Sequence, residues 1–218
     1  MESITLGRAE TEHGEVVLRQ RGEIIELVVN GVFAMDSVDA TSEHALADAA
    51  GDPPRRVLVG GLGLGFTTAR LLDRGATKVR VVELAEPLIA WAQAGLTDQL
   101  RRISADPRVE LVVGDIADEL STGSPRWDAI LLDVDNGPSF LIHDHNQQVY
   151  AEPLLARALA LLNPGGALVI WCETASPDLE VTLRRLATDV AAIRVPVSRE
   201  GREFEYALYR VTAPIQRG

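Results

Sequence analysis

Cysteine is almost missing from this chain. Cys172 stands alone among 218 residues, so no disulfide can form within the chain, and a reducing, cytoplasmic setting is expected. It lies in the apolar run Leu168-Val169-Ile170-Trp171-Cys172 and reads as a buried thiol, not a nucleophile. Long hydrophobic runs are missing too: no stretch of about 18 apolar residues occurs, which removes a membrane-spanning helix. The acidic N-terminal stretch lacks the basic and apolar regions of a secretory leader. Positive charge is scarce, with 21 Lys and Arg against 32 Asp and Glu and a net charge of −11. No basic stripe is visible, which argues against a nucleic-acid partner held by phosphate contacts. A cationic small molecule suits the balance, and so does plain solubility.

What is present is an ordinary globular composition, 46% hydrophobic and 24% charged, enough for one large domain with a small appendage. Residues 1–14 are polar and are expected to lack fixed structure. Glu15–Gln20 and Glu23–Val29, separated by Arg21-Gly22, read as a β-hairpin, and Asn30-Gly31 is a type I′ turn signal leading into Val32–Met35. A helix over 42–50 ends at the breaker Gly51-Asp52-Pro53-Pro54. The division is therefore residues 1–54, a small β-hairpin subdomain with a connecting helix, and residues 55–218, a larger α/β unit.

From Arg55 onward strands and helices alternate, the pattern of a doubly wound parallel sheet. Strands are expected at Val57–Val59, Lys78–Glu83, Val109–Val113, Ala129–Asp133 and Ala167–Cys172. Helices are expected over 66–74, from Pro87 to about Gly95, from about Asn146 to Leu162, and after Ser176-Pro177. Ile193–Ser198 and Phe204–Val211 close the chain as an antiparallel pair at the sheet edge.

Ligands in open α/β sheets bind beyond the carboxyl ends of the strands. The first strand runs into Gly60-Gly61-Leu62-Gly63-Leu64-Gly65, whose glycines let backbone approach a nucleotide closely. The second ends in Glu83, about twenty residues on, which suits both ribose hydroxyls, with Leu84 beside it. The third ends in Gly114-Asp115-Ile116, where Asp115 suits an exocyclic adenine amine and Ile116 the ring face; the alternative for Asp115 is a helix cap. The fourth ends in Asp133-Val134-Asp135-Asn136. No Gly-Lys-Ser/Thr follows the glycines, so a Walker-type phosphate loop is excluded. The spacing also departs from the G-x-G-x-x-G of a pyrophosphate cradle, and NAD is the weaker reading.

The pattern resembles a class I S-adenosylmethionine-dependent transferase. It implies a Rossmann-like, mostly parallel seven-stranded sheet with an antiparallel C-terminal hairpin. Leu58-Val59-Gly60-Gly61, Val82-Glu83-Leu84, Val113-Gly114-Asp115 and Trp127–Asp133, together with the N-terminal hairpin, narrow the resemblance to the spermidine synthase family. It implies an adenosyl donor on Gly60, Gly61, Gly63, Gly65, Glu83, Leu84, Asp115, Ile116 and Asp133, an amine held after the fourth strand, and a homodimer. Three departures stand out. Gly63 replaces a donor-binding aspartate, Asn136 replaces the second aspartate after the fourth strand, and Ala34 and Glu43 replace a glutamine and a tyrosine. Asp39 and His44 match that last motif.

Asp133 and Asp135 are the candidate catalytic residues, orienting an amine and helping to remove its proton. Asn136, His143, His145, Tyr150, His44 and Glu173 are the candidate substrate contacts; a histidine titrating at about 6.5 can take up a proton near neutrality. His143-Asp144-His145 completes no familiar ligand set, and no metal is expected. Trp91 and Trp171 read as core residues. Because Gly63 leaves nothing obvious to select a decarboxylated donor, the leading expectation is a methyltransferase using S-adenosylmethionine on a small amine- or hydroxyl-bearing acceptor. The alternatives are an aminopropyltransferase using decarboxylated S-adenosylmethionine and a polyamine, and an adenosyl-binding protein without catalysis.

Overall fold

The computed structural model describes residues 3–122, 125–134, 148–199 and 202–214. Short β-branched runs joined by tight turns make the first layer. Strands β1 (Ser3–Thr11), β2 (Gly14–Arg21), β3 (Ile24–Val29) and β4 (Val32–Asp36) form an antiparallel sheet in sequence order. Asn30 and Gly31 both adopt positive φ, 52° and 73°, the type I′ geometry that matches strand twist between β3 and β4. Strand β1 corrects the expectation of an unstructured N-terminus. It is an edge strand, exposed or half-buried along its length, so it carries no clean apolar alternation. Its ladder to β2, from Ser3↔Arg21 to Thr11↔Gly14, is what holds it.

Helix α1 (Thr41–Asp48) leads to β5 (Arg56–Gly60), and the alternation then runs α2 (Phe66–Asp73), β6 (Lys78–Glu83), α3 (Glu86–Ala94), α4 (Asp98–Ser104), β7 (Val109–Val113), α5 (Ile116–Thr122) and β8 (Trp127–Leu132). After it come α6 (Glu152–Ala160), β9 (Leu162–Cys172), α7 (Pro177–Leu186), β10 (Val190–Arg199) and β11 (Arg202–Thr212). The second sheet has the order β10-β11-β9-β8-β5-β6-β7. Its neighbours from β9 to β7 pair in parallel, while β11 and β10 are antiparallel. This is the seven-stranded, mostly parallel sheet with an antiparallel C-terminal pair expected from the sequence.

Helix α4 was not anticipated. Leu100 and Ile103 bury one short face, and the Thr97 hydroxyl caps it by accepting from the Leu100 amide at 3.2 Å. Two boundaries also move. Helix α6 spans only Glu152–Ala160, and β9 begins at Leu162 and not at Ala167.

Alternate residues of each central strand enter opposite layers, as the pleat requires. Val57, Val59, Val81 and Leu131 face one core with Leu46, Leu71, Leu88 and Ile103 of helices α1 to α4. Leu58, Ile130 and Leu132 face the other, with Leu120, Leu155, Leu179 and Leu183 of α5 to α7. Val16, Leu18 and Leu27 of the N-terminal sheet belong to the first core. The small sheet thus shares its hydrophobic interior with the large one. Shortening fully buried Leu18 to alanine is therefore expected to lower the stability of the whole chain by about 3 kcal/mol. Denaturant unfolding followed by tryptophan fluorescence and by far-ultraviolet circular dichroism should keep one shared midpoint; separated midpoints would show that the small sheet melts alone.

Candidate functional site

Strand order reverses at β5, whose successor β6 lies on one side and β8 on the other. A cleft opens at this switch point, where ligands of such sheets bind. It lies against the small sheet: Val16, Leu27, Val29 and Met35 line it together with the glycine loop and the ends of β6, β7 and β8.

The loop is stitched to both neighbouring strands. The Gly61 amide donates to the Val82 carbonyl at 2.9 Å, and the Asp133 amide donates to the Gly60 carbonyl at 2.9 Å. Gly61 has φ +95°, and a Cβ there would stand 2.2 Å from the Asp133 carbonyl oxygen, so only glycine fits. Gly63, at φ +51°, lies beneath Met35: a Cβ there would stand 2.7 Å from the Met35 Sδ, which also accepts from the Leu64 amide at 3.3 Å. Gly65, at φ +84°, begins helix α2.

Glu83 is buried at the end of β6. Its Oε2 accepts from the Leu62 amide and its Oε1 from the Ala85 amide, each at 2.8 Å. Burial raises its pKa, opposed by the amides of Ala85, Leu62 and Leu84. It thus braces the loop as well as facing the cleft, and Leu84 lines the cleft beside it. The Oδ1 of Asp115 accepts from the Ala117 amide at 2.7 Å and starts helix α5, the capping geometry, while Asp115 and Ile116 both line the cleft.

Asp133 follows β8. Its Oδ2 accepts from the Thr67 hydroxyl at 3.1 Å, across from the first turn of α2. Burial first, then the negative charges of Glu43 and Glu83, push its carboxyl up to about 7, against the pull of the Thr67 hydrogen bond. Tyr150 is buried, and its hydroxyl donates to the Val134 carbonyl at 2.6 Å, pinning the backbone next to Asp133.

Gly61, Gly63, Gly65, Glu83, Leu84, Asp115, Ile116 and Asp133 line one cleft; Gly60 does not line it, and its carbonyl accepts from the Asp133 amide. The structure does not bring His44 and Glu173 to it. Both are exposed and neither lines it: His44 points outward from α1, and Glu173 follows the last residue of β9. Asp135, Asn136, His143 and His145 lie outside the described residues. Cys172 is fully buried, and burial pushes its thiol up to about 12, far from a reactive thiolate.

Sequence reasoning missed Glu43, Thr67, Met35 and His13, all of which line the cleft. Thr67 could have been found as a hydroxyl two residues past the last loop glycine. His13 lies in the stretch first read as unstructured. Trp171, read as core, is half-buried, lines the cleft and tilts against Tyr206 with ring centroids 5.0 Å apart.

The sheet order with its antiparallel C-terminal pair defines a class I methyltransferase-like architecture. The family described as the methyltransferase small domain matches residues 23–196, and the chain belongs to it, as a spermidine synthase-like member. Among its relatives, a polyamine aminopropyltransferase of Synechococcus sp. (strain JA-2-3B'a(2-13)) is 30% identical over 133 residues, 59% of this chain and 40% of that protein. A polyamine aminopropyltransferase of Corynebacterium efficiens is 28% identical over 188 residues, 84% of this chain and 36% of that protein. The chain thus spans less than half the length of these curated relatives. Spermidine synthase from Thermotoga maritima has the same fold, with a TM-score of 0.79 at 17% identity, covering 98% of this chain and 74% of that one. A spermidine synthase solved with the transition-state analogue AdoDATO gives 0.78, also at 17% identity, over 98% and 75%.

These relatives overturn the leading expectation of methyl transfer: the curated proteins similar to this chain are named polyamine aminopropyltransferases. The missing aspartate at Gly63 had carried that expectation by itself, and the structure gives the position another occupant, the Met35 thioether.

The raised Asp133 pKa makes a stability prediction. A carboxyl near 3.8 when unfolded and near 7 when folded contributes stability fully present below the lower value, which is lost as pH rises through the upper one. Asp133→Asn is expected to be more stable than the parent by ~2 kcal/mol at pH 8, the gap shrinking toward pH 4. Urea unfolding at both pH values measures this; a gap independent of pH would show that Asp133 does not titrate near 7.

Proposed function

We propose that this chain is an aminopropyltransferase-type enzyme, moving the three-carbon amine tail of decarboxylated S-adenosylmethionine to an amine of a polyamine. The observation that carries the reading is Asp133, a half-buried carboxylate held by Thr67 beside the glycine loop, in a cleft whose charged lining is acidic. Glu43, Glu83, Asp115 and Asp133 line it, and among the described lining residues there is no lysine or arginine. A sulfonium with an ammonium tail and a polyamine are both cationic, and this lining favours both. The names of the relatives support the same choice of reaction.

The chain's residues suit the adenosyl part as well. Glu83 braces the loop and presents carboxylate oxygens to a ribose, while Asp115 and Ile116 stand where an adenine edge and face would lie. The acceptor nitrogen attacks the carbon next to sulfur; the new C–N bond forms as the C–S bond breaks, and methylthioadenosine leaves as a neutral thioether. Such an in-line displacement needs alignment above all. Asp133 orients the attacking amine and takes the proton it loses, its Oδ2 held by the Thr67 hydroxyl.

Incubation of the chain with decarboxylated S-adenosylmethionine and a panel of diamines and polyamines is expected to release methylthioadenosine together with an acceptor heavier by one aminopropyl unit, as read by mass spectrometry. S-adenosylmethionine with the same acceptors is expected to give no methylated product. Asp133→Asn should lower kcat at least a hundredfold. Absence of product across the panel would overturn the reading.

A further inference from the structure

The cleft has two acidic walls that come from different parts of the chain. Asp133 follows β8 in the large sheet, and Glu43 comes from helix α1, after the small sheet. Helix α1 takes its phase after a turn at Asp39, whose Oδ1 accepts from the Thr41 amide at 2.8 Å. This phase buries Ser42, turns His44 to solvent and leaves Glu43 facing the cleft. The Ser42 hydroxyl donates to Glu43 Oε2 at 2.8 Å and holds that carboxylate in place.

Glu43 is the strongest charged influence on Asp133, ahead of Glu83. Two carboxylates facing one partly dry cleft repel, and a cation between them relieves the cost. Both Glu83 oxygens accept from loop amides, and the acceptor capacity they keep is the one assigned above to a ribose. The glycine loop supplies no competing carboxylate either: Gly63 has no side chain, and Met35 fills the space above it. A cation entering here therefore meets Glu43 and Asp133.

Resting on the aminopropyl-transfer reading, we propose that Glu43 and Asp133 together clamp the primary ammonium of the donor tail, and that Glu43 is the residue that selects an amine-tailed donor. S-adenosylmethionine differs from the decarboxylated donor by a carboxylate on the carbon that bears the ammonium. That added negative charge would face Glu43 and be repelled. Selection is then moved from the loop to helix α1.

Calorimetric titration of the parent chain and Glu43→Gln with three ligands tests this. Decarboxylated S-adenosylmethionine is expected to bind the variant about tenfold or more weakly, because a charge-assisted hydrogen bond becomes a neutral one. S-adenosylmethionine should bind the variant as well as the parent or better. Methylthioadenosine, which has the adenosyl group but no ammonium, should bind both alike, and Glu43→Asp should recover part of the lost affinity. Equal affinity of parent and Glu43→Gln for the decarboxylated donor, or an equal loss for methylthioadenosine, overturns the proposal. A variant that keeps donor affinity but shows a raised acceptor KM overturns it too, placing Glu43 on the acceptor. Because the readout is binding, a parent chain that binds the donor but yields no product would overturn the reaction and leave the Glu43 result standing.

Discussion

A single close approach of backbone organises the site. The loop leaving β5 passes so near the Asp133 carbonyl that position 61 has no room for a side chain, and its φ of +95° is one that glycine adopts at little cost. Hydrogen bonds from Gly61 to Val82 and from Asp133 to Gly60 tie the loop to the strands on both sides. Everything chemical follows from that stitch. It sets Glu83 against the loop amides, brings Thr67 within reach of Asp133, and leaves the loop's outer surface for the small sheet to cover through Met35.

The acidic character of the cleft is the second constraint, and it works against the stability of the fold. Asp133 is held near neutrality in its titration by burial and by Glu43 and Glu83. Substituting a neutral side chain would ease that repulsion, so the charge is a cost the fold carries for a function. A cationic ligand reverses the sign. Bound between the carboxylates it favours their ionised forms and turns mutual repulsion into shared attraction. Ligand affinity and the protonation of Asp133 are therefore linked.

Much of the frame was legible in the sequence because the physics there is local. Lys78–Glu83 and Val109–Val113 are short β-branched runs between breakers, and their bounds matched the strands found. The glycine loop and the acids at the strand ends line one cleft, since strand ends converge in this topology. Edge strand β1 was illegible because nothing in its side chains alternates; its stability comes from a ladder to β2. Helix α4 was hidden by its length of seven residues. The reaction was misread at Gly63, where one missing carboxylate was taken as a missing function. A sequence does not show that Met35, 28 positions earlier, lies over that glycine.

Helix α1 shows why neighbouring residues cannot be told apart without the fold. His44 matched a known motif and Glu43 broke it, so the histidine drew attention and the glutamate counted as erosion. One residue along a helix is a rotation of about 100°, enough to exchange cleft for solvent. The phase is fixed by burial of Ser42, Leu46 and Ala47 on the core side. With that phase Glu43 lines the cleft that Asp133 lines, and His44 does not. The substitution that counted as erosion thus adds a second carboxylate to the cleft that Asp133 lines.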